Sequence, residues 1–254
     1  MADLLTRAIT SRRWRATVGA AVAVATAAAT ILAPPSSRTA RAEASAPAFY
    51  VFLQLDTKSS ILEKTLQARL PGLSVTVFGR FRDFQDAFAT KPPAAVLAVS
   101  PLLEQEHQKV TIQGVRGGKD WEPYVLVSVG PMKSVDGKTV GIVDLFGHDG
   151  TQAFAASLLK TNDVKIKRVA KIEDLLPLIE FSAADAILIP QAGVKRLTER
   201  TRLPLTVREL PNGRFGLPAV GVVDPAARDA VVRLIEGLDA QTRGLIGVEG
   251  WELK

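Results

Sequence analysis

The chain has no cysteine and only two histidines, His107 and His148, among its 254 residues. The lack of cysteine excludes a disulfide scaffold, a thiolate zinc site, a cysteine nucleophile and the anchoring cysteine of a bacterial lipoprotein. Two histidines exclude a three-histidine metal centre within one chain. The Gly-x-Ser-x-Gly elbow, a complete P-loop and the His-Glu-x-x-His pair are also missing. A glycine-rich basic stretch, Val115-Arg116-Gly117-Gly118-Lys119, lacks the dinucleotide fingerprint and lies where a hinge loop is expected. The reading is therefore of a binding protein without cofactor, and not of an enzyme.

An even distribution of charge is lacking too. Thirty-two Lys and Arg stand against 26 Asp and Glu, a formal charge of +6 that points at first to nucleic acid or an acidic membrane. Residues 1–42, however, hold six arginines and a single acid, Asp3, which leaves 26 basic and 25 acidic residues in 43–254. Most of the basicity belongs to one segment, so no nucleic-acid partner is expected.

That segment has the order of an export signal. Arg12, Arg13 and Arg15 precede an uncharged, alanine-rich run over 16–33, then Pro34-Pro35-Ser36-Ser37 and the small-x-small pattern Ala40-Arg41-Ala42. Ser11-Arg12-Arg13-Trp14 resembles the start of a twin-arginine motif, and the Sec route is the alternative. The run is near the spanning minimum, and its alanine makes it only weakly hydrophobic. Residues 1–42 are read as a cleaved signal, and the mature chain as periplasmic and not membrane-inserted.

From 47 onward, short apolar runs alternate with helical patterns. Strands are predicted over 48–55, 74–78, 95–99, 110–115, 123–129, 139–143, 164–169 and 186–189. Helices are predicted over 59–70, 81–89, 102–108, 151–159, 172–181, 192–200 and 226–238, the last with Asp224 as N-cap and Pro225 as first helical residue. Residues 205–208 and 215–223 read as extended, with Asn212-Gly213 as the turn between them. Phe78, Phe81, Phe84 and Phe88 read as core, not as a stacking platform. Such alternation implies an α/β fold with parallel sheets. Two extended crossings, near 116–124 and 209–217, divide it into two lobes hinged about a central cleft: 47–122 and 213–254 form the first lobe, 123–212 the second.

Four local patterns carry a resemblance. They are Tyr124 at the start of the crossing strand Glu122-Pro123-Tyr124-Val125, the entry Val135-Asp136-Gly137-Lys138-Thr139, Gly150-Thr151 opening a helix, and Ala184-Asp185-Ala186. Over 47–240 the order of elements resembles the type II periplasmic substrate-binding proteins of ABC transporters, and most the phosphate/phosphite/phosphonate-binding branch. The resemblance implies a monomer that captures a small oxyanionic ligand between its lobes and delivers it to an ABC permease. Where the branch has a hydroxyl-rich turn, this chain has His148-Asp149-Gly150-Thr151, which brings a negative charge beside the expected oxyanion. A small zwitterion or carboxylate, met by Asp149 and Lys58, is the alternative ligand.

Loops at the C-terminal ends of strands, where helix starts expose N–H groups, are where the ligand is expected. The candidates are Thr57, Lys58 and Ser59 after the first strand, and Ser100 after the third. Tyr124 at the crossing, His148, Gly150, Thr151 and Gln152 after the strand over 139–143, and Gln191 after the strand over 186–189 complete the set. Asp144, His148 and Asp149 form an alternative metal-ligand set. A sensor or accessory module of the same fold, acting through a protein partner, is the alternative function.

Overall fold

The computed structural model describes residues 46–54 and 57–254; the export segment read at 1–42 lies outside the described residues. The first lobe begins with β1 (Ala48–Phe52), α1 (Ser59–Arg69), β2 (Ser74–Phe78), α2 (Phe81–Thr90), β3 (Ala95–Val99), α3 (Ser100–Gln105) and β4 (Val110–Val115). β3 is buried along its whole length, as its unbroken apolar run requires. α1 buries Leu62 and Leu66, and α2 buries Phe81 and Phe84, each at helical spacing. The expected phenylalanine core forms here, with Phe84 packed against Phe52, Phe78, Phe81 and Phe88 at ring separations of 5.5, 5.7, 6.4 and 5.8 Å.

A tight turn bridged by Arg116 and Lys119 leads into β5 (Trp121–Val129), the first crossing. The second lobe continues with β6 (Lys138–Val143), α4 (Gly147–Leu159), β7 (Val164–Val169), α5 (Leu175–Glu180), β8 (Ala186–Pro190), α6 (Gln191–Glu199) and β9 (Leu205–Gly216). The chain returns through β10 (Pro218–Val222) and ends with α7 (Arg228–Glu236), α8 (Ala240–Ile246) and β11 (Gly250–Leu253). Asp224 caps the turn before α7 as expected, its Oδ1 accepting from the Ala226 N–H at 3.0 Å.

Strand order is β11-β4-β10-β3-β1-β2 in the first sheet and β7-β6-β8-β5-β9 in the second. In both, three parallel strands from one lobe are followed by an antiparallel strand arriving from the other. The sheets are therefore mixed and not parallel throughout, because a strand that crosses between lobes enters its new sheet from the opposite end. The crossings run side by side, with Trp121 opposite Gly216. At Gly114 in β4 the neighbouring chain comes so close that a β-carbon would collide with the Pro218 carbonyl and the Val248 side chain.

Two expectations need correction. Asn212-Gly213 does not reverse the chain, since β9 runs through it as one strand. Pro123 pairs with Arg214 and Val125 with Glu209, so residues 210–213 all stand opposite Tyr124 as a wide bulge. The helix expected to open at Gly150-Thr151 opens at Gly147, one turn earlier.

Side chains alternate across the second sheet. Tyr124, Leu126, Ala186, Leu188, Val140 and Ile142 join the main core, whereas Val125, Val127, Ile187 and Ile189 pack on the other face with Leu175 and Leu197. The main core is continuous between lobes through Tyr124, Phe146, Phe154 and Phe215. Tyr124 and Phe215 have ring centres 4.9 Å apart, and Phe154 lies 5.1 Å from Phe215.

Candidate functional site

A cavity of about 380 Å3 opens between the lobes, where the C-terminal ends of β1, β3, β6 and β8 meet the crossings. The first lobe contributes Leu53, Gln54, Thr57 and Val99, together with the end of α8 from Gly244 to Gly247. The second contributes Leu145, Ile172, Pro190, Ala192, Gly193 and Arg196. The crossings supply Arg116, Glu122, Tyr124, Phe215 and Pro218. Open α/β sheets place their ligands at this end because the strand-end loops are free to vary while the strands hold them rigidly.

The charged part of the cavity was missed in the sequence. Arg116 Nη2 and Glu122 Oε2 are 2.6 Å apart, with side chains only 33% and 17% exposed. Arg116 Nη1 also donates to the Gly247 carbonyl at 3.4 Å, at the C-terminal end of α8, where the helix dipole favours a cation. The turn is fixed further by the Gly117 N–H, which donates to Glu249 Oε2 at 2.8 Å. Burial holds the Glu122 carboxyl above its usual range, and the adjacent guanidinium opposes that push without cancelling it. Burial, followed by the negative charge of Glu122, pushes the Tyr124 phenol up in turn. The one sequence signal for this pair was a charge of each sign on either side of Gly117-Gly118. A six-residue separation becomes a contact only once the turn closes.

The expected site residues divide into three groups. Thr57 and Tyr124 line the cavity. Gln191 opens α6 on the far side of Tyr124, in a separate groove of about 400 Å3 with Trp121, Glu209 and Arg214. The others lie outside the cavity. Lys58 is exposed at the start of α1, and Ser59 lies within that helix. Ser100 Oγ donates to Gln113 Oε1 and to the Leu217 carbonyl, both at 2.9 Å, which ties β3 to β4 and the second crossing.

Thr151 is fully buried. Its hydroxyl donates to Asp144 Oδ1 at 2.9 Å and accepts from the Phe146 N–H at 3.1 Å. Asp144 is held on its other oxygen by Arg168 Nη1 at 2.8 Å, so both its oxygens are engaged by protein groups. His148 is three-quarters exposed and 4.0 Å from Asp149, which is fully exposed. No group of three potential metal-ligating side chains occurs among the described residues.

Gly150 abuts Gln105 of the first lobe, where a β-carbon would stand 2.7 Å from the Gln105 side-chain amide oxygen Oε1. Gln105 Nε2 also donates to the Phe146 carbonyl at 3.3 Å. This turn therefore makes contact between the lobes outside the cavity lining. Gln152 follows in α4, partly exposed.

No protein-family profile matches the sequence, and comparison with curated proteins finds no match. Solved structures do share the fold. The substrate-binding protein of an amino acid ABC transporter superposes with a TM-score of 0.54 at 16% identity, covering 79% of this chain and 95% of its own. The arginine-bound form of truncated ArgBP from T. maritima gives 0.53 at 14% identity, covering 76% and 96%. The periplasmic VFT2 domain of Bordetella pertussis BvgS gives 0.51 at 12%, covering 80% and 93%. The chain thus has the two-lobed fold of periplasmic binding proteins. The likeness does not single out the phosphate/phosphonate branch expected from the sequence.

Proposed function

We propose that this chain is an exported solute-binding protein that encloses one small ligand between its lobes and presents the closed form to an ABC-type permease. The observation that carries the reading is the cavity itself, which is lined by strand-end loops of both sheets and by both crossings. Its size lies in the range of small-molecule sites, and its walls combine apolar side chains with a few convergent polar groups. The described lining residues include no histidine, serine, cysteine or lysine, and the one carboxylate is paired with an arginine. That composition favours binding over catalysis.

The ligand that fits best is a solute with an apolar body. An oxyanion held by helix-start hydroxyls fits less well, because Ser100 and Thr151 spend theirs inside the protein. Two of the solved structures sharing the fold are the substrate-binding protein of an amino acid ABC transporter and an arginine-bound form of ArgBP, in keeping with this preference. Export rests on the leader pattern of residues 1–42. Among the described residues no helix is long and apolar enough to cross a membrane.

A thermal-shift panel of phosphate, phosphonates, sulfate, carboxylates and amino acids tests the reading. A ligand at about 100 times its Kd adds roughly 2.7 kcal/mol, or about 5–10 °C for a protein of this size. No shift with any small solute overturns it. A sensor or accessory role is favoured by one observation: Phe181 is 81% exposed at the end of α5, as a partner-contact residue would be. Loss of a protein partner on Phe181→Ser, together with a silent panel, would establish that role instead.

A further inference from the structure

Asp144 and Leu145, side by side after β6, line two different hollows. Asp144 lines an outer groove of about 500 Å3 with Arg80 and Phe81 of the first lobe, and Leu145 lines the ligand cavity. The next residues, 146–150, touch the first lobe instead. A β-carbon added at Gly147 would lie 2.9 Å from Phe81 Cε1, and one added at Gly150 would lie 2.7 Å from Gln105 Oε1. The two glycines are three residues apart in the first turn of α4, hence on one face of the helix. Gln105 Nε2 donates to the Phe146 carbonyl at 3.3 Å in the same place. Gly147 also has φ +72°, so glycine serves there twice, for the backbone and for the approach.

Both sides of this contact are held in place within their own lobes. In the second, the Thr151 hydroxyl ties the Phe146 N–H to Asp144, which Arg168 holds in turn. In the first, Phe81 is buried against Phe52 and Phe84, with ring centres 5.9 and 6.4 Å away. Closing the contact orders no glycine side chain, so its entropic cost is small. Parting it bares the edge of the Phe81 ring and breaks the bond from Gln105, both of which oppose opening. Phe81, Gln105, Phe146, Gly147 and Gly150 are not among the residues that line the ligand cavity. The contact therefore acts equally whether the cavity is filled or not. We propose that it is a latch, which keeps the two lobes closed with the cavity unfilled, so that closure of this protein does not report loading. Solute capture by itself does not set the resting position of the lobes; this contact does. A solute that binds the closed form finds it already populated, and its apparent affinity approaches the intrinsic one. Entry to the cavity then waits on transient opening of the latch.

Because the chain has no cysteine, two introduced ones carry spin labels at chosen points. Gln85→Cys on α2 and Lys165→Cys on β7 are exposed positions. They lie toward the β2 and β7 edges of the two sheets, away from the crossings, where opening separates the lobes most. Pulsed EPR measures the distance between the labels after dialysis against moderate guanidinium and back, which strips co-purified solute. Wild type is expected to give one short distance, with an open population of about a tenth or less. Gly147→Ala combined with Gln105→Trp removes the hydrogen bond and wedges the contact at two points. That variant is expected to lower the closed-to-open ratio by about tenfold or more and to add a longer distance. If it melts early, Gln105→Trp alone decides, since Gln105 is exposed at the end of α3, and a longer distance is again expected. A wild type that is mainly long or broadly distributed overturns the latch, as does a variant whose distances match wild type. Either result leaves solute capture standing. A silent thermal-shift panel beside a short wild-type distance removes solute capture and leaves the latch.

Discussion

Thr151→Val separates a residue that holds the second lobe together from one that holds a ligand. Valine matches the shape of threonine but removes the hydroxyl, which lies in a fully buried position. Two bonds are lost: the one donated to Asp144 Oδ1 at 2.9 Å and the one accepted from the Phe146 N–H at 3.1 Å. Each partner then stands without its bond, at a cost of about 1–3 kcal/mol apiece, offset in part by the added apolar surface. The net loss is about 2–4 kcal/mol, or about 4–16 °C in Tm for a domain of this size. Thr151→Ser keeps both bonds, sacrifices one buried methyl and costs about 1 kcal/mol. Urea denaturation of the three proteins measures the order, expected to be wild type, then serine, then valine. Because Thr151 does not line the cleft, ligand affinity of the folded variants stays within about twofold. Valine as stable as serine would refute the buried relay. A folded valine variant with a large loss of affinity would return Thr151 to the ligand.

Gly147→Ala is expected to destabilise by about 1–3 kcal/mol, because the residue sits at φ +72° and its new β-carbon would lie 2.9 Å from Phe81 Cε1 of the first lobe. Combining it with Phe81→Leu should recover part of the loss in a double-mutant cycle, and strictly additive effects would show that the two lobes do not meet there. Asp239 caps α8 by accepting from the Thr242 N–H at 2.7 Å, and that bond holds its carboxyl below the usual value of 3.8. A carboxyl with a lowered pKa contributes stability that is present above its unfolded value and is lost as pH falls through the folded one. Asp239→Ala should therefore lower Tm at pH 7, with the difference from wild type closing as the pH is taken well below 3.8; a difference that does not depend on pH would contradict the cap.

Much of the fold was legible from neighbours in sequence. The all-apolar run of β3, the stripe of Phe81, Phe84 and Phe88, and the Asp224-Pro225 helix start each show their role over a few residues. Reading the site was harder. Tyr124 and Thr57 line the cavity as their positions at a crossing and a strand end suggested. The hydroxyls of Ser100 and Thr151 looked equally available, yet the structure spends them on Leu217, Gln113, Asp144 and Phe146. Three of those partners lie close by in the chain, but nothing local says that a helix-start hydroxyl turns inward.

Hydrophobic periodicity, capping and the order of strands and helices are local properties, so the sequence alone determined an α/β chain with two crossings, and showed that its excess basic charge lies in residues 1–42. Three matters were left to the tertiary structure. The crossing strands run antiparallel to their neighbours, because strand direction depends on which end of a sheet the chain enters. Asn212-Gly213 bulges within β9 instead of turning, because Pro123 and Val125 keep their pairings on either side of it. The carboxylate of Glu122 meets Arg116 in the cleft, because the turn between them closes against α8 and Glu249. Each of these depends on distances between residues that the chain's own order does not set.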